Sequence, residues 1–460
     1  MADAAAVPTS LDVSALESLA APLQRANARF GSRHPGESAR RQPVHTVYGG
    51  GHLFRSDSAG KLGAVALRSL EENAGDAETF ARAIGLDLDP SDRTGGRGFA
   101  ERVYGRVIEK LRREPVEDFR IDFEDGYGTR PDAEEDAHVA AAAREVATGM
   151  RERSLPPFIG IRIKPLSEEL RRRSTRSLDI FLTVLARESG GALPSGFVVT
   201  LPKVTIPEQV EYFVSVLDRL EKQLGLAAGS LRFEMMVETP QIIIDAAGRC
   251  ALPALHEAAA GRMIGAHFGT YDYTAGVNIT AAHQHMQHPA CAHALEMMQV
   301  AFAGTDVWLS DGSTAILPVP PHRGPAPTAS ERAENVATVH RAWKRHYSDV
   351  QNSLMRGFYQ GWDLHPAQLP TRYAAVFAFF MANLDAAGAR LRNFVEKSAQ
   401  ATLVGDTFDD AATGQGLLNY FVRGINCGAI TEAEALAMTS LTVEELRGRS
   451  FIRILKNRQL

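Results

Sequence analysis

Short apolar runs rich in β-branched side chains recur through the middle of the chain, with long helix-patterned stretches between them. The runs are VHTVYG (44–49), FRIDFED (119–125), FIGIRIKP (158–165), GFVVTLPK (196–203), RFEMMVETP (232–240), MIGAHFGTYD (263–272), STAILPV (313–319) and GWDLHP (361–366). Segments 133–150 and 206–224 carry helical patterning, and Pro131 and Pro207 stand where a first-turn proline belongs. Eight strand–helix units in series predict an α/β fold, a (β/α)8 TIM barrel over residues 40–385. Nearly continuous apolar strands suit a parallel sheet buried on both faces; a doubly wound open sheet is the rival architecture. Beyond residue 385 the strand runs stop. TEAEALAM (431–438) and TVEELRG (442–448) each open on a Thr-x-x-Glu capping box, so 386–460 is expected to be a small all-helical C-terminal domain. Residues 1–39 form an Ala-rich helical extension on this reading.

Charge narrows the partners. With 50 Lys plus Arg against 55 Asp plus Glu, the net charge of −5 gives no footprint for nucleic acid, and RRRSTR (171–176) reads as a solvated helix face. Cys250, Cys291 and Cys427 form no CxxC pair, which argues against a disulfide framework or structural zinc and suits a reducing cytosol. The start has no basic n-region, and the longest apolar patch, YAAVFAFFMA (373–382), is too short to span a bilayer. A cytoplasmic protein with no membrane partner is expected.

The chemistry gathers at strand ends, which is where a barrel of this kind builds its active site. There stand Asp122, Glu124 and Asp125; Arg162 and Lys164; Lys203; Glu238; Asp272; and His365. Strand alternation puts Asp122 and Glu124 on one face and Asp125 on the other. Glu238 and Asp272 end consecutive strands, so their carboxylates are placed to converge on Mg²⁺ (or Mn²⁺), which prefers oxygen and keeps several waters. The alternative is a helix-capping Asp beside a structural Glu paired with Arg. Arg162 and Lys203 are placed to receive a substrate carboxylate or to neutralise Asp122 and Glu124 in an internal network, and the two readings can coexist. His267 alternates away from the acids and reads as core. His283, His285, His288 and His293 lack a known zinc-ligand pattern and read as surface or subunit-contact residues. The three glycines of VYGGGHLF (47–54) would let a phosphate or pantetheine approach the backbone, but their spacing is not a dinucleotide fingerprint.

RIDFEDGYG, GIRIKPL, LPKV, VETPQ, GTYDYTAG and GWDLHPAQL, in that order, resemble the motifs of the HpcH/HpaI aldolase and citrate lyase β-subunit superfamily, which includes malate synthase. TFDDAATGQGLLNYFVRGINCGAIT (407–431) resembles the malate synthase C-terminal domain. The resemblance implies Asp410 as catalytic base, Arg162 as catalytic arginine, Asp122 and Glu124 as a second acidic pair, and Glu238 and Asp272 as Mg²⁺ ligands. Lys203, Gly269, Thr270 and His365 would bind substrate. Two departures stand out. The arginine-bearing Gly-Trp-His signature of malate synthases is absent, and Gly126 and Tyr127 replace the His of pyruvate aldolases after the second strand. The implied activity is a Mg²⁺-dependent carbon–carbon lyase or synthase working through an enolate, condensing or cleaving a coenzyme A thioester and a 2-oxo acid such as glyoxylate. A CoA-independent retro-aldol lyase and a catalytically inactive ligand-binding barrel are the alternatives. The expected partner is a small-molecule substrate, in a homo-oligomer.

Overall fold

A computed structural model describes residues 10–11, 13–36, 38, 40–86, 96–324, 326–396, 402–404, 407–409, 411–448 and 454. Eight parallel strands follow one another around a closed barrel: β1 (His45–Gly50), β2 (Asp118–Asp122), β3 (Phe158–Arg162), β4 (Phe197–Leu201), β5 (Phe233–Val237), β6 (Met263–Phe268), β7 (Trp308–Ser313) and β8 (Gln360–Asp363). β8 returns to β1, so no edge is left open. Helices such as Asp132–Glu152, Pro207–Leu224, Ala329–Met355 and Leu369–Ala382 cover the outside. Pro207 occupies the first turn of its helix, where no N–H is needed, whereas Pro131 is the residue before the first turn of its own.

The seventh strand lies earlier than the pattern predicts. The run STAILPV (313–319) leaves the barrel, with Ile316 57% exposed, and WLSDGS forms the strand instead. Ser310, Asp311 and Gly312 have the composition of a turn, but Asp311 is buried and satisfied. It accepts from the Ser353 hydroxyl at 2.5 Å and from the Gly312 N–H at 2.7 Å. A partner 42 residues away makes that strand tolerable, and sequence patterning cannot see it.

The barrel interior departs from the usual layers of branched aliphatics. Arg120 forks onto Glu234 at 2.8 and 2.9 Å and also binds Asp118, while His267 Nε2 lies 2.9 Å from Glu234. Thr200 donates to the same Glu234, and Gln360 donates to Thr46 Oγ1 at 3.0 Å. His267 therefore sits in the core, within a polar plug below the strand ends. The apolar core lies between strands and helices, where Ile121, Ile161, Val199 and Phe233 point outward.

After the barrel come the helix Leu384–Glu396, an antiparallel ribbon of β9 (Thr402–Val404) and β10 (Thr407–Asp409), and the helices Ala411–Cys427, Glu432–Thr439 and Val443–Gly448. The region is helical, with the ribbon as an addition the pattern did not show. Both capping boxes form: the Glu434 and Glu445 N–H groups donate to Thr431 and Thr442 Oγ1 at 3.1 and 3.2 Å. This region docks on the end of the barrel where strands begin. Arg423 lies 4.1 Å over the Tyr359 ring, donates to Gln42 Oε1 at 3.1 Å, and lines a cavity of about 230 Å³ there. Among the described residues no single helix is long and apolar enough to cross a membrane; Leu369–Ala382 is apolar because most of its side chains are buried.

Candidate active site

At the opposite end, where strands finish, two cations and five carboxyls come together. Arg162, at the end of β3, is paired in register with Asp122, at the end of β2. Its Nε and Nη2 donate to the two Asp122 oxygens at 2.7 and 2.6 Å. Asp122 also accepts the backbone N–H groups of Glu124 at 3.0 Å and Gly126 at 2.7 Å, so it is fully occupied. It fixes the arginine and the turn after β2 and is not free to act as a base. Arg162 Nη1 then stands 3.0 Å from Glu124 Oε2, an ion pair too bent to count as a hydrogen bond.

Two rings cover the guanidinium: Arg162 Cζ is 4.7 Å from the Tyr48 ring and 5.5 Å from that of Trp362. Neither aromatic was singled out from sequence, because stacking over an arginine joins β1, β3 and β8 and leaves no local pattern.

Lys203 is the second cation. Its ammonium binds Glu124, lies 3.0 Å from Asp125 and 3.7 Å from Asp272. The expected separation of Asp125 from Glu124 is therefore corrected. β2 ends at Asp122, and beyond the last ladder hydrogen bond alternation no longer decides direction. Lys203 holds φ +49°, an uncommon conformation for a residue with a side chain. That turn presents its backbone N–H to Glu238 Oε1 at 2.7 Å.

Glu238 is buried at the end of β5, and its carboxyl is pushed up to about 8 by burial and by the nearby Asp272 charge, against the pull of Lys203 and Arg162. Glu238 and Asp272 therefore share one electrostatic environment. The other Glu238 oxygen sits in a cradle made by Gly269, where a Cβ would fall 2.4 Å from Oε2. Burial likewise raises Glu124, in spite of Arg162 and Lys203, whereas Lys203 overcomes burial to hold Asp125 low.

Counted as ions, Asp122, Glu124, Asp125, Glu238 and Asp272 exceed Arg162 and Lys203 by three negative charges. A divalent cation fits this donor set. All the spare donors are oxygen, Glu238 Oε2 has no donor on it among the described residues, and the surplus charge is of the sign a cation relieves. No group of three or more His, Cys, Asp or Glu is arranged to hold a metal among the described residues, so the pair would leave the remaining positions to water and ligand.

Other strand-end residues are used differently. Lys164 turns outward to the Phe123 carbonyl at 2.6 Å and Glu135 at 3.0 Å. His365 caps the following turn, its Nδ1 accepting from the Ala367 N–H at 3.1 Å. Asp363, passed over in the sequence, is buried at the end of β8 and binds His45 and His346 at 3.0 Å and Arg372 at 2.8 Å. The three glycines at and just beyond the end of β1 serve close packing: a Cβ on Gly49 would strike the Phe119 ring at 2.7 Å, and one on Gly51 the Phe123 ring at 2.4 Å. His288 caps its helix through Ala290 N–H at 3.1 Å. Asp410 lies outside the described residues.

No curated protein matches the chain. Three solved structures are similar to it, and the first shares its fold. A citrate lyase from Burkholderia xenovorans LB400 matches with TM-score 0.54 and 16% identity, over 87% of this chain and 97% of that one. The protein CitE from Mycobacterium tuberculosis, in complex with magnesium, acetoacetate and coenzyme A, matches with TM-score 0.45 and 14% identity, over 85% and 100%. The magnesium/glyoxylate complex of Haloferax volcanii malate synthase matches with TM-score 0.44 and 14% identity, over 74% and 76%. At 16% identity the likeness to the citrate lyase is one of fold. One family model matches residues 23–454, nearly the whole sequence, and the chain thus belongs to the family described as Domain of unknown function (DUF6986).

Proposed function

We propose that the protein is a Mg²⁺- or Mn²⁺-dependent enzyme that makes or breaks a carbon–carbon bond through an enolate, acting between an acyl-CoA and a small 2-oxo acid such as glyoxylate. One observation carries this reading: a surplus-acid mouth in which the buried Glu238 lies in the field of the partly exposed Asp272, beside a fixed arginine. The order of the strand-end motifs supports it.

Glu238 and Asp272 would hold the cation, which supplies Lewis acidity toward a 2-oxo group when bound. Arg162 has five N–H donors, and two go to Asp122 while a third faces Glu124. The remaining two are available to an enolate or alkoxide oxygen, and a donor of this kind is worth about 3–4 kcal/mol of barrier. Tyr48 and Trp362 keep water off the guanidinium, which strengthens that interaction. Lys203 stays cationic, since its acids outweigh burial, and holds Glu124 and Asp125 in place. Asp410, assigned by the resemblance, would remove the α-proton from the acyl methyl group; the enolate carbon would then attack the 2-oxo carbon, the alkoxide would take up a proton to give a β-hydroxyacyl-CoA, and water would release free thiol only if the thioester is then hydrolysed. Cleavage is the same sequence reversed.

The test is a panel of 2-oxo acids with acetyl-CoA, propionyl-CoA or no CoA in Mg²⁺, read by thiol release and by mass spectrometry of products. Products only without CoA would move the assignment to a retro-aldol lyase, and no carbon–carbon product across the panel would overturn it. Asp410→Asn should abolish solvent-proton exchange at the acyl donor while leaving Mg²⁺ and glyoxylate binding intact.

A further inference from the structure

The helix Val13–Arg33 stands in water along most of its length: from Pro22 to Arg33 every residue is exposed. Its large apolar side chains share that exposure, with Leu16 at 44%, Leu23 at 60%, Phe30 at 64% and Leu19 at 73%. Together with Ala26 they recur at steps of three and four, the α-helical period, which gathers them into one stripe. A helix of 21 residues without tertiary support is marginal in water, and Pro22 takes one hydrogen bond out of its ladder. The foot is tied down, by Arg33 to Glu257 at 2.6 Å and by the Gly36 N–H to the Gly304 carbonyl at 2.9 Å. A stripe of this kind on a helix that leaves the body marks an interface.

Beside that foot lies an open groove of about 850 Å³, bordered by Arg33 and His34. It runs along the side of the barrel, from Ile206, beyond the end of β4, to Thr305, before the start of β7. A groove that follows the barrel's height has the shape to take a helix lengthwise. Its walls are small and apolar, with Ile206, Ala247, Pro253, Ala254 and Ala301 among them, so a helix carrying leucines can approach closely. Charge agrees with shape. Arg29 flanks the stripe and Glu208 stands on the groove wall, and neither is in an ion pair among the described residues. The chain's own stripe stands clear of the groove that its foot borders, so the occupant comes from outside the chain.

We propose that the groove receives the helix Val13–Arg33 of a second copy of this chain, each of two copies lending its helix to the other about a two-fold axis. Such an exchange is isologous: both stripes and both grooves are used at once, and none is left over for a third chain. It does not depend on the chemistry of the mouth.

The test is a cross-link. Cys250 lines the groove, while Cys291 and Cys427 are buried. Full-length Leu23→Cys treated with bismaleimidoethane should run as a covalent dimer, and the dimer should vanish when Cys250→Ser is added. A dimer that survives the loss of Cys250 means that the two helices pair with each other. A link within one chain means that the helix folds back onto its own groove. Either result overturns the exchange, as does the absence of any link. Light scattering gives a second readout. Replacing Leu19 and Leu23 together by Asp should halve the mass of the wild-type assembly, because both ends of a two-fold contact are lost at once. Ala254→Trp, at an exposed position of the groove wall, should do the same from the other side. A monomeric wild type, or variants that keep the wild-type mass, would refute the proposal.

Discussion

Replacing Glu238 by Gln in metal-free protein isolates the electrostatic cost of the mouth. Glu238 sits at about 8 against an ordinary 4.5, because burial and Asp272 oppose its ionisation. Below pH 4.5 the carboxyl is protonated folded or unfolded and contributes nothing. Between pH 4.5 and 8 the folded state binds more protons than the unfolded state, so stability falls as pH rises. Above 8 the whole cost is present, about 5 kcal/mol at ~1.4 kcal/mol per pH unit. Gln keeps an oxygen for the Lys203 N–H and carries no charge. Urea denaturation in EDTA should therefore find Glu238→Gln equal to wild type near pH 4.5 and more stable by several kcal/mol at pH 8.5. Mg²⁺ should restore much of the wild-type deficit at pH 8.5 and do nothing for the variant. Parallel stability curves for the two proteins from pH 5 to 9 would show that Glu238 is not held protonated by this environment, and the surplus-charge reasoning would fall.

Two further outcomes follow from the same geometry. Gly269→Ala places a Cβ 2.4 Å from Glu238 Oε2 and 2.5 Å from its Cβ, so it should displace the carboxylate, weaken Mg²⁺ binding at least 10-fold by calorimetry and cost about 1–3 kcal/mol of stability. Asp363 is held well below the ordinary carboxylate range because Arg372, His346 and His45 outweigh its burial. Its contribution is therefore present above about pH 4, the unfolded value, and disappears as pH falls through the folded one. Asp363→Asn should be destabilised by about 3–5 kcal/mol at pH 7, and by progressively less in acid denaturation series toward pH 2.

What could be read from the chain was whatever repeats locally. Apolar runs alternating with helical patterns specify a parallel barrel, because each strand must be buried on two faces and each helix on one. The ionisable residues at strand ends were legible for the same reason: Glu238, Arg162 and Lys203 close apolar runs where the architecture opens to solvent, whereas Asp272, expected at the end of the sixth strand, stands in the first turn of the helix Thr270–Gly276 that follows β6. Their pairing was not. Two arrangements of Arg162 and Lys203, substrate clamp or internal ion network, are equal in sequence, and the folded chain binds Arg162 to Asp122 and Lys203 to Glu124.

Contacts between distant segments decided the rest. β7 could be found only through Ser353, which satisfies Asp311, and the direction of Asp125 only through Lys203, 78 residues on. Tyr48 and Trp362 look like ordinary strand aromatics until closure of the barrel brings β8 back to β1 and sets both over Arg162. Local chemistry determines which segments become strand or helix and where charge collects; barrel closure determines which charges meet, and with which donors left over, because those energies depend on distances that no stretch of sequence contains.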